Sequence, residues 1–528
     1  MYAALVKSCV PDTFSRLNLF GGEITSLETT LVSNYSASVP AAYRFTAPSV
    51  QLTNATFCNV TVSYTHPGQN DNIYIEAWLP TENWNERFQA VGGGGFVAGR
   101  FYLSYVAMRG ALADGYATIT TDAGLGSAMD ATPWAQVSPG NVNLYNLQNL
   151  ASVSLNDEAI IGKQLIRSYY GQGPLYSYWN GCSQGGRQGM MLAQRYPDAY
   201  DGIAAGAPAF YWTEFGPGIT WPQQVLSMLG DYPYNCETDT LTAMAINFCD
   251  KLDQVEDGII SQAEECLARF DPFEWVGTPI NCTQTNGTVR ITNAAAVLVN
   301  ETWHGPRAVD GTKLWHGLNP GADITGDAST SMEPGVAATN CTGTTCVGMS
   351  NILSQWMQLF VSKDPTLDVL NLTHEEWDNL FRSSSQQYRS LIGSADPDLR
   401  AFSKKGGKLL SFHGVQDNII PIGGSQQYYN EVASISPDIH DFYRFFEVPG
   451  LGHCFGGRSQ QPSNLFEQLR LWVENDTAPE TSPINVTDIT GSQVLGSRVL
   501  CPYPQRQQLI EGCTDTAAAK CWTCTKRH

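Results

Sequence analysis

Two adjoining runs, Leu175-Tyr-Ser-Tyr-Trp-Asn180 and Gly181-Cys182-Ser183-Gln184-Gly185-Gly186-Arg187-Gln188-Gly189, decide the fold. The first is rich in aromatics and reads as a short strand. After the second, Met190 to Arg195 continues as a helix that stops near Tyr196-Pro197. A serine at a glycine-flanked strand-to-helix turn is a nucleophile elbow, Gly-x-Ser-x-Gly. The tight turn forces the serine into an unfavourable backbone conformation, and small neighbours let other strands approach. Ser183 then stands clear of the sheet at the positive end of a helix. Such a serine works only with a base, an acid that orients the base, and donors for an oxyanion.

On the N-terminal side, Val60 to Tyr64 and Ile73 to Leu79 alternate as strands do, with His66-Pro67-Gly68 turning between them. Arg87 to Val91 is a further strand running into Gly92-Gly93-Gly94-Gly95. A glycine run after a strand lets backbone N–H groups point into a site. Tyr116 to Asp122 is a strand, and Leu155 to Tyr170 carries apolar residues at helical spacing. On the C-terminal side, Ala204 to Pro208 ends another strand. The rhythm then lapses: short helical pieces, tryptophans and six cysteines fill roughly 211–399. It resumes at Lys408 to Phe412 and Phe442 to Glu447. Strands alternating with helices imply a largely parallel α/β sheet. The expected organisation is an α/β-hydrolase core from 1–210 and 400–528, with 211–399 inserted as a lid domain.

The triad order of that fold is serine, acid, histidine. After Ser183, Leu409 to Phe412 opens into His413-Gly-Val-Gln-Asp417-Asn-Ile-Ile-Pro421, placing Asp417 at a strand's carboxyl end, where α/β sheets carry their chemistry. The next strand delivers Val448-Pro-Gly-Leu-Gly-His453-Cys454. Of eight histidines, His66 precedes the elbow, His304, His316 and His374 fall in the insertion, His440 begins a strand and His528 is terminal. His413, four residues before Asp417, reads as a loop anchor, which leaves His453 as the base. Cys182 and Cys454 adjoin the nucleophile and the base. If Ser183 Oγ and His453 Nε2 approach within ~3 Å, their neighbours come within disulfide reach, tying together residues about 270 apart. The oxyanion donors are then the N–H of Gln184 and one from Gly92–Gly95, with Gly93 expected.

Cys182-Ser183, Asp417 and His453-Cys454 resemble the CS–D–HC signature of the tannase and feruloyl esterase family. The Gly-Cys-Ser-x-Gly-Gly-Arg-Gln-Gly run, the Gly414-x-x-Asp417 loop and the Gly452-His453-Cys454 turn match it as well. The resemblance extends from Cys9 to Cys501-Pro-Tyr-Pro and Trp522-Thr-Cys524. It implies a secreted serine esterase acting on aromatic esters of feruloylated or galloylated plant material. Hydroxycinnamoyl (feruloyl) esters come first, because the tail and acidic-loop segments look closest to that branch; galloyl esters are the alternative. A non-catalytic, calcium-dependent binding module that keeps the fold is a distant third.

Asp250, Asp253 and Asp257 crowd a short stretch that also holds Val255 and Ile259. Ca²⁺ takes six to eight oxygens from carboxylates and backbone carbonyls. The spacing is not that of an EF-hand, and on chemistry alone a solvated acidic turn is an equal reading. The stretch is similar to the family's lid calcium loop, which implies a structural Ca²⁺ and a flanking Cys249–Cys266 disulfide. The resemblance also implies Cys9–Cys58 and Cys501–Cys524. A further N-terminal pair usual in the family has no cysteines here, and Cys282 lacks its usual close partner. Cys341 and Cys346 pair with each other, or one takes Cys282. Cys236, Cys513 and Cys521 stay unassigned, a Cys513–Cys521 bridge being sterically possible. Among the insertion's aromatics, Trp212, Trp221, Trp303, Trp315, Trp356 and Trp377 are expected mostly in the lid core, with one or two stacked on substrate.

Composition narrows the classes. A net charge of −20 leaves nothing to neutralise phosphates, which argues against nucleic acid. No apolar run approaches a membrane span of ~20 residues. Fourteen cysteines without paired zinc spacing read as disulfides, hence an oxidising compartment. Ten Asn-x-Ser/Thr sequons agree with a glycosylated, extracellular protein. Met1-Tyr-Ala-Ala-Leu-Val is too short for a signal-peptide core, so the expected leader is not evident.

Overall fold

The computed structural model describes residues 8–14, 16–326 and 334–526; residues 1–6 and His528, read above, lie outside them. Nine strands make one sheet: β1 (Glu23–Val39), β2 (Val50–Thr65), β3 (Ile73–Pro80), β4 (Arg87–Val91), β5 (Ala117–Thr121), β6 (Tyr176–Cys182), β7 (Gly202–Gly206), β8 (Lys408–Gly414) and β9 (Tyr443–Val448). Their order is β1-β2-β3-β5-β4-β6-β7-β8-β9. The first three pair antiparallel, and β3 also meets β5 antiparallel. From β5 through β9 every pairing is parallel. This is the mixed α/β-hydrolase sheet. β6 lies inside it and is buried along nearly its whole length, because parallel strands have helices on both faces.

β1 is the element the residue pattern conceals. Seventeen residues long and rich in Thr and Ser, it forms the sheet edge, pairs only with β2 and leaves most positions exposed or half-exposed. An edge strand with so little to bury carries no strong apolar period.

Four helices position the site: α1 (Tyr102–Ala113), α2 (Ser154–Tyr170), α3 (Gln184–Arg195) and α4 (Ile422–Ile435). α2 ends at Gly171, whose φ of +78° is the left-handed cap a glycine supplies at little cost. α3 packs on β6 and β7, and ten of its twelve residues are buried.

Among the described residues between 211 and 399, none belongs to a strand of the main sheet. That segment contributes helices, chiefly Asn235–Cys249, Asn293–His304 and His374–Ile392, and two small hairpins, Pro279–Cys282 with Gly287–Arg290 and Thr339–Thr342 with Thr345–Gly348. Of its seven tryptophans, the six named above are buried and Trp275 is half-buried. Trp212 meets Phe96 and Trp356 edge-on, and Trp221 packs on Trp377. None of the six presents an open ring face, so the expectation that one or two stack on substrate finds no support at these positions.

All fourteen cysteines are paired. Cys9–Cys58, Cys182–Cys454, Cys249–Cys266 and Cys501–Cys524 form as expected. Cys341 pairs with Cys346, across a hairpin in which the two stand directly opposite. Cys513 pairs with Cys521. Cys282 takes Cys236, which had no assigned partner; the two Cα atoms lie 5.5 Å apart where Asn235–Cys249 packs on the first lid hairpin.

Candidate active site

β6 ends at Cys182 and α3 begins at Gln184, which leaves Ser183 alone on the turn with φ +62° and ψ −122°. Side-chain-bearing residues rarely adopt this conformation, and it persists only where the surroundings over-determine it. Here they do. Ser183 N–H donates to Gly206 O at 3.0 Å, and its carbonyl accepts from Arg187 N–H at 2.9 Å and Ala209 N–H at 3.2 Å. The flanking glycines permit the close packing: a Cβ on Gly181 would stand 2.6 Å from the Gly185 backbone, and one on Gly186 2.3 Å from Gly206 O.

Arg187 anchors the helix from below. Fully buried, it donates to Gln184 Oε1 (2.6 Å), Leu150 O (2.8 Å), Ala151 O (3.0 Å) and Ser394 Oγ (3.1 Å). All four acceptors are neutral, and burial pulls its pKa down to about 9. The guanidinium thus holds the side chain of the residue that follows the nucleophile.

β8 opens into the loop that carries Asp417, and β9 into the loop that carries His453. Both side chains are buried. Asp417 Oδ1 accepts the N–H groups of Ile419 (2.9 Å) and Ile420 (2.8 Å), and Oδ2 accepts His453 Nδ1–H at 2.8 Å. Burial alone would raise the Asp417 carboxyl. The charge of His453 and hydrogen bonds from His413 and His453 outweigh it and hold the group well below the usual carboxylate range. The Cys182–Cys454 disulfide, with Cα atoms 6.1 Å apart, joins the elbow to the histidine loop across 272 residues. Cys454 itself has φ +62°. Among the described residues no hydrogen bond joins Ser183 Oγ to His453 Nε2; contacts of this kind are often long until a substrate is bound.

Gly93 does not serve as expected. Its N–H donates to Gln188 Oε1 at 2.9 Å, while Gly92 N–H goes to Asn180 O and Gly94 N–H to Val97 O, both at 3.1 Å. The first three amides of the run are therefore tied into the scaffold. Gln188, one α3 turn past Gln184, made the difference, and nothing in the glycine run itself signals it. Gly95, with φ +54°, is the one amide of the run without an acceptor among the described residues.

Around the triad loops, Phe455 directly follows Cys454 and meets Tyr43 edge-on at 5.9 Å, and Tyr43 meets the exposed Tyr102 at 6.2 Å. A cavity of about 320 Å³ separates Ile246, Ile259 and Ile260 of the inserted segment from Gln416 and Asn418, which flank Asp417, and Gly452, which precedes His453.

The acidic loop runs into the isoleucine wall of that cavity, to which its own Ile259 contributes. Asp250 accepts the N–H groups of Asp257, Gly258 and Ile259 at 2.8–3.2 Å. Asp253 Oδ1 accepts Val255 N–H, while its buried Oδ2 has no hydrogen-bond partner. Arg498 reaches in from the C-terminal hairpin, paired with Asp257 and 3.9 Å from Asp253 Oδ2, its guanidinium 4.1 Å from the Trp522 ring centroid. Burial, with the charges of Asp253 and Asp250, pushes the Asp257 carboxyl up to about 6 against the pull of Arg498. Among the described residues no three carboxylate, imidazole or thiolate groups already form a metal cage. The donor chemistry nevertheless fits Ca²⁺: hard oxygens, three carboxylates against one guanidinium, and an orphaned buried oxygen at Asp253.

Comparison with known proteins gives one consistent result. Residues 58–524 match the family described as tannase and feruloyl esterase. The chain is 38% identical over 487 residues to a probable feruloyl esterase from Arthroderma benhamiae, covering 91% of this chain and 88% of that one. Its fold is similar to tannin acyl hydrolase from Aspergillus niger, with a TM-score of 0.85, 27% identity, and 98% and 94% of the two chains covered. It is also similar to feruloyl esterase B from Aspergillus oryzae, with a TM-score of 0.75, 25% identity, and 96% and 98% covered.

Proposed function

The chain belongs to the tannase and feruloyl esterase family and is a carboxylic ester hydrolase, and from that premise we propose that Ser183, Asp417 and His453 hydrolyse hydroxycinnamoyl esters, feruloyl esters above all, through an acyl-enzyme. The observation that carries the catalytic assignment is the strained Ser183 turn tied by Cys182–Cys454 to a histidine already hydrogen-bonded to a buried carboxylate.

His453 Nε2 takes the proton from Ser183 Oγ as that oxygen attacks the ester carbonyl. Asp417 keeps Nδ1 protonated, so that Nε2 is the basic nitrogen, and stabilises the imidazolium that forms. The tetrahedral oxyanion takes the N–H of Gln184 at the first position of α3. A second donor comes from Gly95, the uncommitted amide of the glycine loop. Loss of one such donor costs about 3–4 kcal/mol of barrier. The imidazolium returns its proton to the leaving alcohol. Water, deprotonated by the same histidine, then releases the aromatic acid.

Residues 211–399 act as the lid, whose isoleucine wall faces the triad loops across the 320 Å³ cavity, at the lower end of the size of small-molecule pockets. The 38%-identical relative, a probable feruloyl esterase, supports feruloyl esters as substrates; feruloylated plant cell-wall polysaccharide is the source we propose for them. Galloyl ester hydrolysis is the second reading, favoured by the fold likeness to tannin acyl hydrolase. Seven disulfides and ten sequons support an extracellular glycoprotein; eight of the sequon asparagines are exposed, while Asn59 and Asn300 are half-buried. A structural Ca²⁺ would be held by Asp250, Asp253 and Asp257 with the carbonyls of Val255 and Ile259, where it would neutralise the loop's excess charge.

The test is hydrolysis of methyl ferulate, caffeate, sinapate and gallate by the wild type and Ser183→Ala. The variant is expected to stay folded, to lose hydrolysis, and to escape fluorophosphonate labelling that marks the wild type. Full activity in the variant would sink the triad. A preference for gallate would replace the substrate and leave the mechanism. An unlabelled, inactive wild type would favour a binding module.

A further inference from the structure

Asp417 Oδ2 has a second imidazole on it. His413, the last residue but one of β8, brings Nε2 to 3.0 Å from that oxygen, while His453 Nδ1 holds the same oxygen at 2.8 Å. His413 is wholly buried. Its Nε2 also lies 3.0 Å from Ile420 O, and its Nδ1 2.8 Å from Ser425 Oγ on α4. A carbonyl and an ionised carboxylate only accept hydrogen bonds, so Nε2 must carry a proton. Ser425, able to donate or accept, serves Nδ1. The sequence reading of His413 as a loop anchor is met by the bond to Ile420, but the contact with Asp417 goes beyond it.

We propose that His413 is a positioning residue of the triad, clamping the Asp417 carboxylate by a shared hydrogen bond to Oδ2 and setting the basicity of His453 through it. The proposal rests on the Ser183–Asp417–His453 reading. Each carboxylate oxygen then has two donors: Oδ1 the amides of Ile419 and Ile420, Oδ2 the two imidazoles. With Oδ1 alone anchored, the carboxylate could rock and carry His453 with it. With His413 in place, the plane is fixed. The shared bond also draws off part of the charge that Asp417 presents to His453. Without His413 that charge falls on His453 alone, its imidazolium is over-stabilised, and the base protonates at higher pH.

The test compares His413→Leu, which removes the donor, with His413→Gln, whose amide N–H can reach the same oxygen. His413→Leu is expected to lower kcat at least tenfold with KM within twofold, and to move the acid limb of the kcat/KM–pH profile up by at least half a unit. His413→Gln is expected to recover most of kcat and to return the limb. A folded His413→Leu enzyme with an unshifted limb would overturn the proposal, as would Leu and Gln variants that behave alike. If the Leu variant does not fold, Ser425→Ala, which frees the ring at Nδ1, takes its place; the same upward shift is expected, and an unmoved limb overturns the idea. Wild-type enzyme that fails to take a fluorophosphonate label would overturn the triad and this proposal together, whereas labelled, active wild type with an unshifted Leu variant would overturn this proposal alone.

Discussion

Ser183 keeps a backbone conformation that neither β6 nor α3 would impose alone, and two hydrogen bonds from outside both elements, with Gly206 and Ala209, help to hold it there. At this scale small groups decide large effects. Among them is a buried ionic cluster that takes no part in the chemistry. His66 lies 3.2 Å from Asp157 Oδ2 and 2.7 Å from Asp71 Oδ2, and Tyr64 and Asn149 donate to the same two carboxylates. The hydrogen bond with Asp157, helped by Asp71 and opposed by burial, raises the His66 pKa from 6.5 to about 9. A raised folded-state pKa means that the folded chain keeps a proton the unfolded chain has released. The stabilisation is therefore complete below pH 6.5 and is lost as pH rises through about 9. Urea midpoints at pH 6, 7.5 and 9 are expected to fall in sequence for the wild type. His66→Gln should start lower and lose this part of the slope; an equally steep decline in the variant would refute the linkage.

Among the elements, the join between the β6–α3 turn and the loop after β9 matters most. On the chain-entropy model, a disulfide closing 272 residues stabilises the fold by about 5 kcal/mol. Its geometric effect is more specific, since it ties the serine turn directly to the histidine loop. The Cys182→Ala/Cys454→Ala double variant is expected to melt several degrees lower. Even where it is folded, kcat should drop more than tenfold while KM changes little. A folded double variant with wild-type kcat would reduce the disulfide to a stabiliser. Arg187 works at the same scale, fastening α3 to the carbonyls of residues 150 and 151 and to Ser394.

Across the whole molecule, the C-terminal hairpins close over the inserted segment. Arg498 of Val494–Leu500 reaches Asp257, 241 residues earlier, and Val255 packs with Cys521 and Trp522. The acidic loop thus lies where lid and tail meet, and a cation there would strengthen their junction. Chelation is expected to lower Tm by several degrees and re-addition of Ca²⁺ to restore it. An unchanged Tm on chelation would count against the ion.

Local order and short-range chemistry determined much of this protein from its residues alone. The strand–serine–helix turn, the βα rhythm around it, and acid and base at the carboxyl ends of successive strands all follow from spacing along the chain. Even Cys182–Cys454 could be read, because each cysteine adjoins a residue that catalysis must bring to the other. What escaped depended on neighbours far apart in sequence and unmarked by any motif. The Cys236–Cys282 pair needed a helix laid on a hairpin, and the six buried tryptophans needed the lid's own packing. Gly93 lost its expected role to Gln188, and His413 gained one at Asp417. Residue types state what chemistry is available; only the packed backbone decides which donor meets which acceptor, since a shift of about 1 Å makes or breaks a hydrogen bond.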